Sequence, residues 1–137
     1  MIVRLSFLIA LSLFTVACLA ESPASKPGAE ASAPKITPAE FEKLAADKEN
    51  VILDVRTPKE FAEGHIAGAV NVDYRSKEFS AKVADLDKGK TYLVYCAVGG
   101  RSTGACEKLG KMDFPHLYNL EGGIGRWQRE GKKVEKE

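Results

Sequence analysis

The sequence predicts an α/β domain, a small doubly wound parallel sheet covered by helices on both faces. Three observations lead there. Val51 to Val55 and Thr91 to Tyr95 are short apolar runs of strand length, the pattern of strands buried on both sides. Segments with helical spacing alternate with such runs along the chain, as crossover connections between parallel strands require. The pattern Thr-Pro-x-Glu occurs twice, at residues 37–40 and 57–60. Each is a capping box with proline at the first helical position, so each marks a helix start.

In chain order, residues 38–47 read as a first helix, with Phe41, Leu44 and Ala45 on its apolar face. Residues 51–55 are a strand interrupted by a single charge, Asp54. A short helix follows through Phe61 and Ala62, then a turn-rich link from Gly64 to Gly68 and a second short strand from Ala69 to Val72. Phe79, Val83 and Leu86 recur at i, i+4 and i+7, which places a helix over 76–86. Residues 87–90 are a turn, and 91–95 the central strand. Arg101 to Lys111 is a helix with Ala105 and Leu109 inward. Leu117 to Leu120 is the last strand, residues 121–123 a turn, and Ile124 to Arg129 a final helix anchored by Trp127. From Gly131 the chain is charged and is expected to fray. The domain is therefore 36–134, with 135–137 as a charged tail.

The rest of the chain is organised ahead of this domain. Its 137 residues are too few for two ordinary domains. Residues 1–20 hold one positive charge, Arg4, followed by an apolar stretch too short to be a comfortable membrane span, which is the layout of a signal peptide. Phe14-Thr15-Val16-Ala17-Cys18 resembles a bacterial lipobox, which makes Cys18 a lipidation candidate. Ordinary cleavage after Ala20 is the rival, and an uncleaved anchor the third possibility. Either cleavage implies an exported protein, periplasmic or lipid-anchored in the cell envelope. Residues 21–35 are rich in Pro, Ala, Ser and Gly, lack large apolar side chains, and are expected to be a disordered tether. A formal net charge of +1 gives no electrostatic basis for binding nucleic acid or an anionic membrane surface. Three cysteines, at 18, 96 and 106, suit neither a disulfide framework nor a zinc site.

Chemistry concentrates at Tyr95-Cys96-Ala97-Val98-Gly99-Gly100-Arg101-Ser102. A thiol sits at the carboxyl end of a buried strand, where open parallel sheets collect ligands. A loop that curls from Cys96 to the next helix points its amides inward, and Gly99 and Gly100 permit the left-handed conformations such a curl needs. The amides and the helix dipole favour thiolate over thiol. Arg101 is a candidate either to add charge or to brace the loop, and Ser102 to place a hydroxyl near the site or cap the helix. A cysteine at a strand end is also commonly just a small buried residue. Gly-Gly-Arg-Ser ahead of a helix tips the reading to a reactive thiol. Four residues separate Cys96 from Arg101, one fewer than in phosphatase loops of the Cys-to-Arg type, and the smaller ring suits a single sulfur atom better than a phosphate. Cys106, inside the helix, lies about 7 Å or more along it from the helix start and reads as a core residue, beyond disulfide reach of Cys96.

Three stretches resemble the rhodanese family of sulfurtransferases. They are Leu53-Asp54-Val55-Arg56-Thr57-Pro58-Lys59-Glu60-Phe61 with Gly64-His65-Ile66-Ala67-Gly68-Ala69, then Cys96-x-x-Gly99-x-Arg101-Ser102, then Leu120-Glu121-Gly122-Gly123-Ile124 with Trp127. The resemblance spans nearly the whole domain. It implies a rhodanese-like fold and a thiosulfate-sulfurtransferase type of activity. Cys96 would carry sulfane sulfur as a persulfide, and Ala97, Val98, Gly99, Gly100, Arg101 and Ser102 would hold the substrate. The implied partners are a small donor such as thiosulfate or a persulfide, and a thiol or cyanide acceptor, with a protein thiol also open. No metal or organic cofactor is expected. Asp54, Arg56, Glu60 and His65 are expected to form one paired polar cluster beneath the site, because buried charges persist only when paired. Positions 97, 98 and 100 are Ala, Val and Gly, so Arg101 is the only cation in or bordering the loop. A carrier or partner-binding module in the envelope with little turnover is the alternative, and a phosphatase or arsenate reductase a distant third.

Overall fold

Five parallel strands carry the chain in the computed structural model, which describes residues 32–137. The strands are β1 (Lys35–Ile36), β2 (Val51–Asp54), β3 (Val70–Asn71), β4 (Tyr92–Tyr95) and β5 (Leu117–Leu120), and the order across the sheet is β1-β5-β4-β2-β3. Helices α1 (Pro38–Ala45), α2 (Pro58–Glu63), α3 (Phe79–Ala84), α4 (Gly100–Lys111) and α5 (Gly123–Arg129) connect or follow them. The chain runs outward from β2 in one direction and from β4 in the other, so the two central strands flank the point where the winding reverses. Clefts for ligands form at such points, beyond the carboxyl ends of the strands.

Alternation along the strands builds two cores. Leu53, Val55, Val94 and Cys96 face one side, against Phe79 and Val83 of α3 and Ala105, Cys106 and Leu109 of α4. Ile52, Leu93 and Tyr95 face the other, against Phe41 of α1 and Ile124 and Trp127 of α5. Phe41 meets the Tyr95 and Trp127 rings edge-on at centroid distances of 6.2 and 5.9 Å. Such pairs add to what burial alone supplies. Both capping boxes form. Thr37 and Thr57 each accept from the amide three residues on, and Glu40 and Glu60 each reach back to the cap amide.

The structure departs from the sequence reading in three places. Residues 33–35 are not tether. Ala33 is buried, the Asn119 amide donates to the Pro34 carbonyl at 2.9 Å, and Lys35 pairs with Asn119 as edge strand β1. A two-residue strand after a Pro-rich run has no period to detect. The helix expected over 76–86 is regular only over Phe79–Ala84, with turns at either end. The charged C-terminus is docked rather than frayed: His65 and Glu135 exchange two backbone hydrogen bonds of 2.8 Å, and the Trp127 indole donates to the Lys133 carbonyl at 2.9 Å. The signal segment, Cys18 and most of the expected tether lie outside the described residues.

Candidate active site

Cys96 follows β4 directly, and its residue is 1% exposed. Its Sγ is a hydrogen-bond acceptor at the centre of the loop. The Gly99 amide donates to it at 3.0 Å, and the Ser102 hydroxyl lies 3.4 Å away. That hydroxyl also lies 3.1 Å from the Gly99 carbonyl, but Thr103 already serves this oxygen with its own hydroxyl at 2.8 Å and its amide at 3.1 Å. The Ser102 proton is thus free to point at sulfur. Of the two loop glycines only Gly99 uses the left-handed region, at φ 113°; Gly100 is the first residue of α4.

Two opposing influences set the charge on the thiol. Burial, the larger single one, raises its pKa. Donation from the Ser102 hydroxyl and from the amides of Ser102, Gly99 and Val98 outweighs it, so the Cys96 pKa falls below the ordinary thiol value. Cys106 has no such donors, and burial pushes it up to about 12. Titrating thiolate absorbance in the ultraviolet, wild type minus Cys96→Ser, should give a midpoint below that of an ordinary thiol. Cys106 should contribute only in strong alkali. A midpoint at or above the ordinary value would contradict the donor arrangement.

The loop is held in this shape from both flanks. On the β5 side, Gly122 and Gly123 have φ of 75° and 60° and bring the start of α5 against the loop backbone. The amides of Ile124 and Gly125 donate to the carbonyls of Cys96 and Ala97 at 2.9 and 3.0 Å. A Cβ on Gly123 would stand 2.5 Å from each of those carbonyl oxygens. Fixing the Ala97 carbonyl outward turns the Val98 amide, which shares its peptide plane, toward sulfur. The sequence shows the Gly122-Gly123 pair but reads as a simple turn; its partner carbonyls are more than twenty residues away.

On the β2 side stands Arg101, expected to contact substrate. Its guanidinium makes a bidentate pair with Glu60 of α2 at 2.7 and 2.8 Å. The Arg101 hydrogen bonds, opposed by burial and helped by Thr57, pull the Glu60 carboxyl down to about 2. The pair stays ionised at neutral pH, and Arg101 acts as a brace between loop and α2. Glu60 therefore does not join the cluster expected beneath the site. Asp54 and Arg56 form a buried ion pair of their own at 2.6 Å. His65 stacks on Phe61, with Nδ1 2.9 Å from the Phe61 carbonyl. Arg56 Nη2 donates to the Gly64 carbonyl at 2.7 Å, tying the two parts of that cluster together. Ala97 is half-buried, and Val98 stands out at the loop tip, 75% exposed. A pocket for one anionic sulfur, ringed by neutral donors, is what these positions make.

The family model of the rhodanese-like domain matches residues 37–130. The protein YtwF of Bacillus subtilis is 40% identical over 91 residues, covering 66% of this chain and 85% of its own length. A protein of Allochromatium vinosum named sulfurtransferase is 36% identical over 90 residues, covering 65% and 82%. Among solved structures, a rhodanese-related protein of Thermoplasma volcanium superposes with a TM-score of 0.68 at 35% identity, covering 76% of this chain and 99% of that one.

Proposed function

The chain belongs to the rhodanese-like domain family, and from that premise we propose that it is a sulfurtransferase whose carrier is Cys96. The observation that carries the proposal is the ring of donors on Sγ from Val98, Gly99 and Ser102. It stabilises a thiolate before transfer and a persulfide anion after it. In the first half-reaction the thiolate attacks the outer sulfur of thiosulfate. The new S–S bond forms as the old one breaks, and sulfite leaves with the electron pair. In the second, a thiol or cyanide takes that sulfur and Cys96 returns as thiolate. Incubation with thiosulfate should add the mass of one sulfur atom to the peptide containing Cys96. Cyanide should then remove it with release of thiocyanate. Absence of the adduct with every sulfane donor tried would overturn the reading.

One observation favours a second reading, a persulfide carrier with little turnover. Arg101 is committed to Glu60 and Val98 is the exposed loop-tip side chain, so the rim has little to hold a small dianion. A persulfide that forms but is not discharged by cyanide or thiols would favour the carrier.

Export to the cell envelope belongs to the same proposal and rests on residues 1–20 alone. Expression in a bacterium should give a mature chain that starts at a lipid-modified Cys18. A free Glu21 at the start would replace the lipoprotein form with a periplasmic one, an intact Met1 in the membrane fraction would mean the uncleaved anchor, and an intact Met1 on a cytoplasmic chain would overturn export.

A further inference from the structure

The Gly99 carbonyl decides where the Ser102 proton goes. Three donors lie within reach of its oxygen: the Thr103 amide at 3.1 Å, the Thr103 hydroxyl at 2.8 Å and the Ser102 hydroxyl at 3.1 Å. A carbonyl oxygen has two lone pairs, and the Thr103 donors fill both. The Ser102 hydroxyl has one proton, and its other acceptor is Cys96 Sγ at 3.4 Å. Thr103 is in turn oriented from β5. The Asn119 side chain donates to Thr103 Oγ1 at 3.0 Å, so this oxygen accepts toward β5 and directs its own proton at Gly99. Asn119 is 1% exposed, and its Oδ1 has no hydrogen-bond partner among the described residues. A buried acceptor left unmatched costs stability, and such a cost in a folded domain calls for an explanation. The bond to Thr103 supplies one, because it fixes a hydroxyl that competes with Ser102.

We propose that Thr103 and Asn119 are positioning residues for sulfur transfer: by occupying the Gly99 carbonyl they commit the Ser102 proton to Cys96 Sγ. The proposal rests on the sulfurtransferase reading and adds to it two residues beyond the loop on which the carrier depends. Cys96 takes up sulfur as a thiolate and, on passing it to an acceptor, leaves as a thiolate. A hydroxyl kept on Sγ favours the charged form at both points. The hydrogen bonds of the Thr103 and Asn119 side chains go to Gly99 and to each other, so both act through Ser102. The titratable groups coupled to Sγ are Arg101 and Cys106 of α4, and Arg101 also faces Glu60 of α2 and Asp73 after β3. None of these takes part in the relay.

The test uses the full chain and reads the ultraviolet thiolate midpoint of Cys96, each variant against its own Cys96→Ser control. Thr103→Val removes the hydroxyl at nearly constant shape and opens the carbonyl to Ser102. The midpoint should rise by about one pH unit, a roughly tenfold loss of thiolate relative to thiol at a given pH. The pH profile of sulfur uptake from thiosulfate should move with it. Thr103→Ser should restore the wild-type midpoint. Because Thr103→Val strands the Asn119 amide, the titration is repeated in Thr103→Val with Asn119→Leu. That double variant has no unmatched amide, so it should denature no earlier than the wild type and still show the raised thiol midpoint. In Ser102→Ala, which has no hydroxyl proton to redirect, Thr103→Val should add no further shift. An unmoved midpoint in the folded double variant, or the same shift with and without the Ser102 hydroxyl, would overturn the relay while leaving the sulfurtransferase reading in place. Failure of the wild type to load Cys96 would overturn that reading and the relay's part in transfer with it, and is seen before any variant is compared.

Discussion

Cys96→Ser should abolish persulfide formation and reduce thiocyanate release to background, a loss on the order of a thousandfold or more, as for removal of other catalytic nucleophiles. The substitution exchanges one atom and leaves its surroundings able to fold. A serine oxygen can accept from the Gly99 amide and lie beside the Ser102 hydroxyl as sulfur does. It stays protonated at neutral pH and is a far poorer nucleophile toward sulfur. Stability should change by no more than about 2 kcal/mol, the ordinary range for a conservative change at a buried position. Two readouts are therefore needed: peptide mass after thiosulfate treatment, and a denaturation midpoint to show that the variant is folded. Retained sulfur uptake on that peptide, or retained turnover in a folded variant, would remove Cys96 from the mechanism. Cys106 offers no substitute, since it is buried in the core and its thiol is held protonated.

The shape of the Cys96 loop is legible in the sequence because its signals are local. A strand-length apolar run, a cysteine, glycine at 99 and a helix pattern lie within twenty residues of one another, and backbone geometry turns that order into a ring of amides. The capping boxes at Thr37 and Thr57 are legible for the same reason, each using side chains three residues apart. What the sequence does not disclose is long-range. Arg101 meets Glu60 across forty-one positions, and nothing near either residue names the other. Gly123 is needed because α5 starts against the carbonyls of Cys96 and Ala97, a contact set by the sheet order. Lys35 sits at the end of a segment with disorder-like composition, yet two backbone positions suffice to pair it with β5 and place it beside the loop. The docked tail escapes for a related reason: Glu135 uses its backbone, and the charge pattern of residues 131–137 says nothing about that.

The largest stability effect is expected at Asp54. Its side chain is fully buried at the end of β2, and its two oxygens receive the Arg56 amide at 2.9 Å, Nε at 3.0 and 3.1 Å and Nη2 at 2.6 Å. Arg56 is itself buried, over the Tyr95 ring at 5.6 Å, with its remaining reach spent on the Gly64 carbonyl. Asp54→Ala leaves this guanidinium in the interior without a counter-charge. The expected loss is about 3–5 kcal/mol, a large share of the roughly 5–15 kcal/mol that holds a domain folded. The cause is the orphaned cation rather than the intrinsic worth of the pair, and this distinction can be measured. If it holds, Asp54→Ala combined with Arg56→Met should be more stable than Asp54→Ala alone, because an apolar side chain in the same space removes the uncompensated charge. A double variant no more stable than the single one would mean that Asp54 acts through packing or through its bond to the Arg56 amide. The pair touches neither Sγ nor the amides around it. The folded fraction of either variant should therefore still take up sulfur on Cys96. Loss of uptake at a temperature where the variant is demonstrably folded would place Asp54 in the chemistry rather than in the frame beneath it.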